Sequence, residues 1–193
     1  MGLQLITAPG AEPVTSAEVK THSRIDTSAD DAYIDTLIVS ARKSIETLTG
    51  RALINQTWDL SMDLEPGLSI LRLPLPPLSS VTSIKYYSEA DVESTYATTN
   101  YRVDTSDSQG GRISLRDGRT WPTDMRYTNG LIVRFVAGYG AAGSNVPEPL
   151  RHAIKLLAAH WYENREPVNI GNIVNEIQLM IEHLCWPFKV IRL

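Results

Sequence analysis

The clearest pattern of apolar positions lies between residues 146 and 168. Apolar side chains recur there at the i, i+3, i+4, i+7 spacing of one helix face. They are Leu150, Ala153, Ile154, Leu157, Ala158 and Trp161. Pro147 stands at the entry, where a missing N–H costs nothing, and Pro167 ends the pattern. Three more apolar residues lie on the other side: Leu156, Ala159 and Tyr162. We therefore expect this helix to be buried on both sides, within its own domain or against a second subunit.

Three other segments carry helix signals. Thr15 and Glu18 have the spacing of a capping box, which starts a short helix. A second start signal precedes a continuous apolar stripe, and Gly50 stands at the C′ position after it. The last helical pattern stops at Pro187. The predicted spans are Ser16 to Arg24, Ala29 to Thr49 and Glu176 to Cys185.

Short β-favouring runs separated by turn residues fill the chain between Arg51 and Gly140. The predicted strands are Gln56 to Met62, Ser69 to Leu73, Val81 to Tyr87, Tyr101 to Asp104, Arg112 to Leu115 and Leu131 to Ala137, with Leu3 to Thr7 as a weaker candidate for an edge strand. We predict an α+β fold, a mainly helical scaffold of about four helices with a small antiparallel β-region. Residues 51–140 would form this inserted region within a single domain of residues 1–193.

Length and charge narrow the class of protein. A chain of 193 residues with 42% hydrophobic content buries one core but leaves little room for two. The net charge is -4, and no stretch has the basic excess of a protein that grips a phosphate backbone. A single cysteine excludes an internal disulfide. No leader-like or membrane-spanning apolar run is visible, so we expect a soluble, intracellular protein without a membrane partner.

The residues that could carry chemistry are scattered. His152 and His160 lie eight positions apart, not at the i, i+4 spacing of a helical metal pair. The glycines of residues 138–143 match G-x-G-x-x-G, but no βαβ unit follows, so a connecting loop is expected. Cys185 is expected to be a packing thiol. We predict no catalytic site, metal or cofactor, and keep a small hydrolase acting from the His152/His160 face as an alternative.

Several blocks of sequence occur in a recognisable order. They are PVT to RID within residues 13–26, TGRALINQTW at 49–58, LPLPPLSSV at 73–81, AGYG at 137–140, VPEPLRHAI at 146–154 and AHWYENRE at 159–166. Together they resemble the head-to-tail connector, or adaptor, family of long-tailed bacteriophages and gene transfer agents. The resemblance covers nearly the whole chain.

This resemblance implies a structural protein without turnover. Its subunits would form a twelve-fold ring beneath the portal protein and above the tail-side stopper or terminator protein. DNA would pass through the centre of the ring without sequence-specific binding. The location implied is the neck of a virion or phage-like particle, assembled in the bacterial cytoplasm. A capsid decoration or assembly factor that forms no conduit is a second alternative.

The apolar end of the chain, Trp186 to Leu193, is unusual for a free terminus. We predict an arm that is mobile in the free subunit and becomes ordered on the portal. The alternative is that it closes the subunit's own core. The residues predicted at a subunit or portal interface are Leu156, Ala159, Tyr162, Trp186, Phe188, Ile191 and Leu193.

Overall fold

The computed structural model describes residues 1–64, 67–165 and 173–191, with the backbone alone for residues 173–176. The chain divides into two compact units. The first, which we call the β-unit, combines Met1–Gly10 with Asn55–Tyr139, and the second, the helical unit, combines Ala11–Ile54 with Gly140–Leu193. The bounds of the β-unit are close to those of the predicted inserted region, residues 51–140, but the β-unit also includes the N-terminal segment Met1–Gly10. The single-domain organisation stays a prediction.

The described part of the β-unit contains eight strands in two antiparallel sheets. The strands are β1 (Gly2–Thr7), β2 (Gln56–Met62), β3 (Ile70–Arg72), β4 (Leu78–Tyr87), β5 (Glu93–Thr95), β6 (Tyr101–Asp104), β7 (Arg112–Leu115) and β8 (Leu131–Ala137). One sheet has the order β1-β2-β8-β4-β5, and the other has the order β3-β7-β6. The α+β fold class is confirmed, and the predicted β-region consists of two antiparallel sheets.

Strand β8 shows why the strands of the five-stranded sheet pair in a single register. Every second residue of its sequence LIVRFVA is buried, and Phe135 is fully enclosed between its partners Trp58 on β2 and Val81 on β4. Arg134 points to the opposite face and pairs with Asp59 directly across on β2, with N–O distances of 2.7 and 2.8 Å. A one-residue slip would move Arg134 into the core, so the pattern specifies the pairing strongly.

Several strands differ from the predicted ones. Strand β1 begins one residue earlier, at Gly2, and β3 is shortened to Ile70–Arg72. Strand β4 begins at Leu78, three residues before the predicted start. Strand β5 lies between the predicted strands Val81 to Tyr87 and Tyr101 to Asp104, where no strand was predicted. Its three residues show no apolar alternation, and a cross-strand ion pair helps to hold them, with Lys85 Nζ 2.7 Å from Glu93 Oε1.

The described part of the helical unit contains the four predicted helices. They are α1 (Ser16–Ser23), α2 (Asp31–Thr49), α3 (Glu148–Glu163) and α4 (Ile173–Cys185). The capping box is present, because Thr15 N–H donates to Glu18 and Glu18 N–H donates to the Thr15 hydroxyl. Gly50 ends α2 in the left-handed conformation, at φ 71°. Helix α4 begins earlier than predicted, and Pro167 lies outside the described residues.

The core of the helical unit forms where the apolar stripes of α2 and α3 meet. The fully buried side chains of these stripes are Ile34, Ile38, Ala41 and Ile45 of α2 and Leu150, Ala153, Ile154 and Ala158 of α3. Arg42 of α2 is also buried, at 5% exposure. Its guanidinium lies 2.7 Å from both Glu12 and Glu46, so the buried charge is compensated. None of the helices in the described ranges is both long and apolar enough to cross a membrane.

Candidate assembly interface

Helix α3 is packed against α1, α2 and α4, so most of its surface is covered within the helical unit. Leu157 and Trp161, predicted in its core stripe, are half-buried, and so is the interface candidate Leu156. Ala159 is only 9% exposed. A methyl group already covered by neighbouring helices offers a partner little surface, and the assignment of Ala159 to an interface stays a prediction. The apolar groups on several sides of α3 are explained largely by contacts inside the subunit.

Tyr162 takes part in a polar and aromatic cluster at the C-terminal end of α3. Its hydroxyl donates to Asp30 Oδ2 at 2.7 Å, and Arg165 Nη2 lies 3.1 Å from the same oxygen. The Arg165 guanidinium also lies 4.9 Å from the ring of Tyr33 and 5.3 Å from that of Tyr162. The hydrogen bond to Asp30 raises the pKa of Tyr162. This cluster joins the end of α3 to the start of α2, so Tyr162 is engaged within the subunit.

The N-terminal end of α3 is held by Arg151. Its guanidinium pairs with Glu18 of α1 and, at 2.6 Å, with Glu148, and its Nε–H donates to the carbonyl of Pro13 at 3.0 Å. Burial alone would raise the pKa of Glu18, but hydrogen bonds from Thr15 and the charge of Arg151 lower it. Arg151 thus fixes the entry of α3 against α1.

The segment after α4 is tied to the helical unit. Trp186–Phe188 forms a 3₁₀ turn, and Arg51 donates from Nε to the carbonyl of Phe188. The N–H of Val190 then donates to the carbonyl of Thr49 at 2.8 Å. These contacts correct the prediction of a free arm beginning at Trp186. The chain through Val190 is held at the C-terminal end of α2, where the carbonyl of Thr49 has no partner inside the helix and accepts the Val190 N–H.

Two apolar side chains of this segment still face outward. Trp186 is 71% exposed, with Lys189 Nζ 5.7 Å from its ring centre, and Ile191 is 68% exposed. Phe188 is half-buried. Leu193, the last interface candidate, lies outside the described residues. Trp186 and Ile191 are therefore the candidates whose exposure fits a docking role best.

Helix α4 contributes two exposed residues that the sequence reasoning did not assign to an interface. Ile181 and Cys185 face inward and are buried, whereas Leu179 is 64% exposed and Met180 is 50% exposed. The signal was present in the sequence, since apolar residues occupy an arc of this helix too wide for a single contact. We call Leu179, Met180, Trp186 and Ile191 the C-terminal apolar set.

The comparison with protein families decides the identity of the chain. A model of the head completion protein family matches residues 12–171. The chain belongs to this family. The predicted resemblance to head-to-tail connectors of gene transfer agents is thereby confirmed at the level of the family. A search of curated proteins returned no match.

Three solved structures similar to this chain come from gene transfer agent particles. Two chains, one in the neck of an empty particle computed with C6 symmetry and one in the virion of a native particle, share 29% and 28% identity, each with a TM-score of 0.82. A third, in the neck of a native particle computed with C12 symmetry, shares 28% identity with a TM-score of 0.80. In all three, the match covers 100% of this chain and 97% of the other.

The histidines of this head completion protein are not arranged around a common centre. His152 faces His22 edge to face, with ring centres 5.7 Å apart, while His160 lies beside Asn164 with Nδ1 3.2 Å from Nδ2. Burial, with the charge of His22 adding to it, lowers the pKa of His152. Burial also raises the pKa of the Cys185 thiol to about 11, as expected for a packing cysteine. Within the described ranges, no three side chains of metal-binding type come together.

A pocket of about 650 Å³ lies in the β-unit. Leu68, Leu115 and Met125 form apolar parts of its lining, with Arg119 and Tyr127 also contributing. Trp121 stabilises one wall by donating from Nε1 to the carbonyl of Leu68 at 2.7 Å. Among the described residues, its lining contains no histidine or cysteine.

Proposed function

We propose that this head completion protein is a structural connector in the neck of a tailed phage or gene transfer agent particle. Its copies form a ring between the portal protein and a tail-side stopper or terminator protein, and DNA passes through the centre. The observation that carries the proposal is the full-length similarity, at a TM-score of 0.82, to a chain from the neck of a gene transfer agent particle. Similarity over the whole chain supports a shared role in assembly better than similarity of one unit would.

The proposed ring has twelve copies. Similar chains come from necks computed with C6 and C12 symmetry, which a ring of twelve satisfies. Each copy in such a ring must present surface to its neighbours and to the components above and below. The C-terminal apolar set supplies apolar surface of the kind that marks protein interfaces.

We assign the C-terminal apolar set to the contact with the portal protein. Leu156, Tyr162 and Phe188 have part of their surface covered within the subunit and contribute less. Because Val190 anchors the segment, Trp186 and Ile191 are partly ordered before docking. Less conformational entropy is then lost on binding than a fully mobile arm would lose.

The charge of the chain suits a conduit that DNA slides through. With a net charge of -4, the subunit has no general excess of cations to hold phosphates. Each cation–phosphate contact adds affinity through release of counterions, and strong affinity would oppose sliding. We therefore assign DNA passage without sequence-specific binding.

The proposal is tested by complementing a deletion strain with Leu179→Asp and examining the particles by electron microscopy. We expect DNA-filled heads without tails, because the substitution places a charge in the docking surface. The free chain should fold normally, since Leu179 is exposed. Gln178→Glu is the matched control, because it adds the same charge to the neighbouring exposed polar position and should give tailed particles.

Other outcomes would contradict the proposal. Tailed, infective particles with Leu179→Asp in the neck would remove α4 from the interface. Labelled wild-type protein found over the capsid exterior, and absent from the neck, would instead identify a decoration factor.

The hydrolase alternative has its own test. His152→Gln and His160→Gln should attach tails normally when the protein folds and joins the ring, whereas a catalytic loss in such particles would refute a purely structural role.

A further inference from the structure

Strand β1 forms one edge of the five-stranded sheet. It pairs antiparallel with β2 from Gly2 opposite Ser61 to Thr7 opposite Thr57. Within the described part of the chain, β2 is its only backbone partner. In an antiparallel pair, alternate residues direct their N–H and C=O groups toward the partner, and the others direct them away. The outer edge of β1 therefore presents a row of unpaired donors and acceptors.

The side chains of β1 are also uncovered. All six residues are exposed, and Leu3, Leu5 and Ile6 are each at least 40% exposed. Residues 1–10 contain no charged side chain. Native sheets usually block an exposed edge with lysine, proline, a bulge or a short strand. From Gly2 to Leu5 none of these is present, and the bulge comes only between Leu5 and Thr7.

The opposite edge of the same sheet is protected. Strand β5 has only three residues, and Glu93 at its start binds both Lys85 Nζ and the Tyr87 hydroxyl at 2.7 Å. A short, charged strand of this kind resists pairing with another chain. The contrast between the two edges indicates that β1 is kept open for a strand that this subunit does not supply.

We propose that the outer edge of β1 is completed by an extended segment of a second copy of this chain, which adds a sixth strand to the sheet. The backbone groups of the edge select an extended polypeptide, and the uncharged, apolar side chains select a segment that can cover Leu3, Leu5 and Ile6. This inference rests on the proposed ring, in which each copy has another copy as its lateral neighbour.

The symmetry of a ring restricts the segment that fills the edge. Pairing of β1 with β1 of another copy requires a twofold axis between them. Neighbours in a cyclic ring are instead related by rotation about the ring axis, so the contact joins two different surfaces. The added strand therefore comes from a part of the neighbouring copy other than β1.

Hydrogen exchange followed by mass spectrometry tests the inference on the wild-type protein. The peptide of residues 1–7 is compared between the free chain and purified necks. In the free chain, the amides of β1 that point outward should exchange at close to the rate of unprotected amides. In the neck, a sixth strand should slow their exchange at least tenfold. An unchanged rate in necks that contain the ring would overturn the inference while leaving the proposed function intact.

Photo-crosslinking identifies the occupant. A benzophenone amino acid replacing Gln4 in producing cells should yield a covalent dimer of this chain. Crosslinking to a different neck protein instead would refute the assignment to a second copy, even with the amides protected. If the chain is absent from necks, the ring proposal and this inference fail together, and the composition of the purified necks reports that case separately.

A pair of lysine variants supplies an independent measurement. Leu5→Lys should reduce incorporation into necks at least tenfold, because a lysine on an edge strand opposes pairing. Its melting temperature should match that of the wild type, since the aliphatic stem can stay on the sheet. Val92→Lys changes another exposed apolar residue of the β-unit and should incorporate normally. Equal incorporation of the two variants would contradict the inference.

Discussion

The neighbouring residues Val190 and Ile191 allow the stability and assembly roles of the C-terminal segment to be separated. Val190 is half-buried, and its N–H donates to the carbonyl of Thr49. Its Cβ lies 3.3 Å from the point where a side chain on Gly50 would begin, so valine packs closely over this glycine. Ile191 is 68% exposed. We predict that Val190→Asp destabilises the subunit, whereas Ile191→Asp impairs docking alone.

The size of the first effect follows from burial and charge. Full burial of a valine contributes roughly 1.5 to 3 kcal/mol, so a half-buried one contributes about 1 kcal/mol. The new carboxylate would also lie beside the negative end of the α2 dipole, which costs roughly 0.3 to 1 kcal/mol. The loss of about 1.5 to 2 kcal/mol should lower the melting temperature by roughly 3 to 8 °C for a chain of this length.

Thermal and urea unfolding of the free chain measure this effect, and pull-down with portal protein measures docking. Ile191→Asp should unfold within about 0.5 kcal/mol of the wild type and lose portal binding. Val190→Asp should be destabilised in the free chain. If Val190→Asp melted like the wild type but failed to bind the portal, the segment would be a mobile arm, and the reasoning from its contacts with α2 would be refuted.

Three further predictions concern stability and reactivity. Arg42→Ala should lower the free energy of unfolding, measured in urea, by roughly 3 to 5 kcal/mol. The substitution removes the cation that pairs with the carboxylates of Glu12 and Glu46. Hydrogen bonds from the side chain and backbone of Ser106 hold the pKa of Asp104 at about 2, below the ordinary 3.8. Its stabilising contribution should therefore be complete above about pH 4 and fade as the pH falls toward 2; an NMR titration of Ser106→Ala should show a raised midpoint. Cys185 should react with a thiol reagent at neutral pH far more slowly in the folded chain than in urea, because burial raises its pKa to about 11.

Local features of the fold could be read from the sequence because they depend on neighbouring residues. The capping box of Thr15 and Glu18, the glycine that ends α2 and the alternation along β8 all appear as predicted. Each depends on side chains within a few positions of one another, so its signal survives without knowledge of the fold. The family resemblance was also visible, because its blocks extend along nearly the whole chain.

The candidate interface was only partly predictable. Periodicity shows that a helix has apolar faces, but it does not say which face the subunit itself covers. Two residues illustrate this limit: Ala159, predicted at an interface, is buried within the subunit, whereas Leu179, which was not assigned to an interface, is 64% exposed. Trp186 and Ile191 are exposed, and their assignment to an interface stays a prediction, whereas the hydrogen bond from Val190 to Thr49 differs from a free arm.

By itself, the sequence determined the helices, most of the strands and the family, because those signals are local or extend along the chain. Only the tertiary structure decided how distant segments meet. It brings β1 beside β2, inserts β8 between β2 and β4, and joins Val190 to Thr49. Such contacts depend on which apolar surfaces cover each other when the chain closes over long separations. That closure leaves the outer edge of β1 and the C-terminal apolar set uncovered.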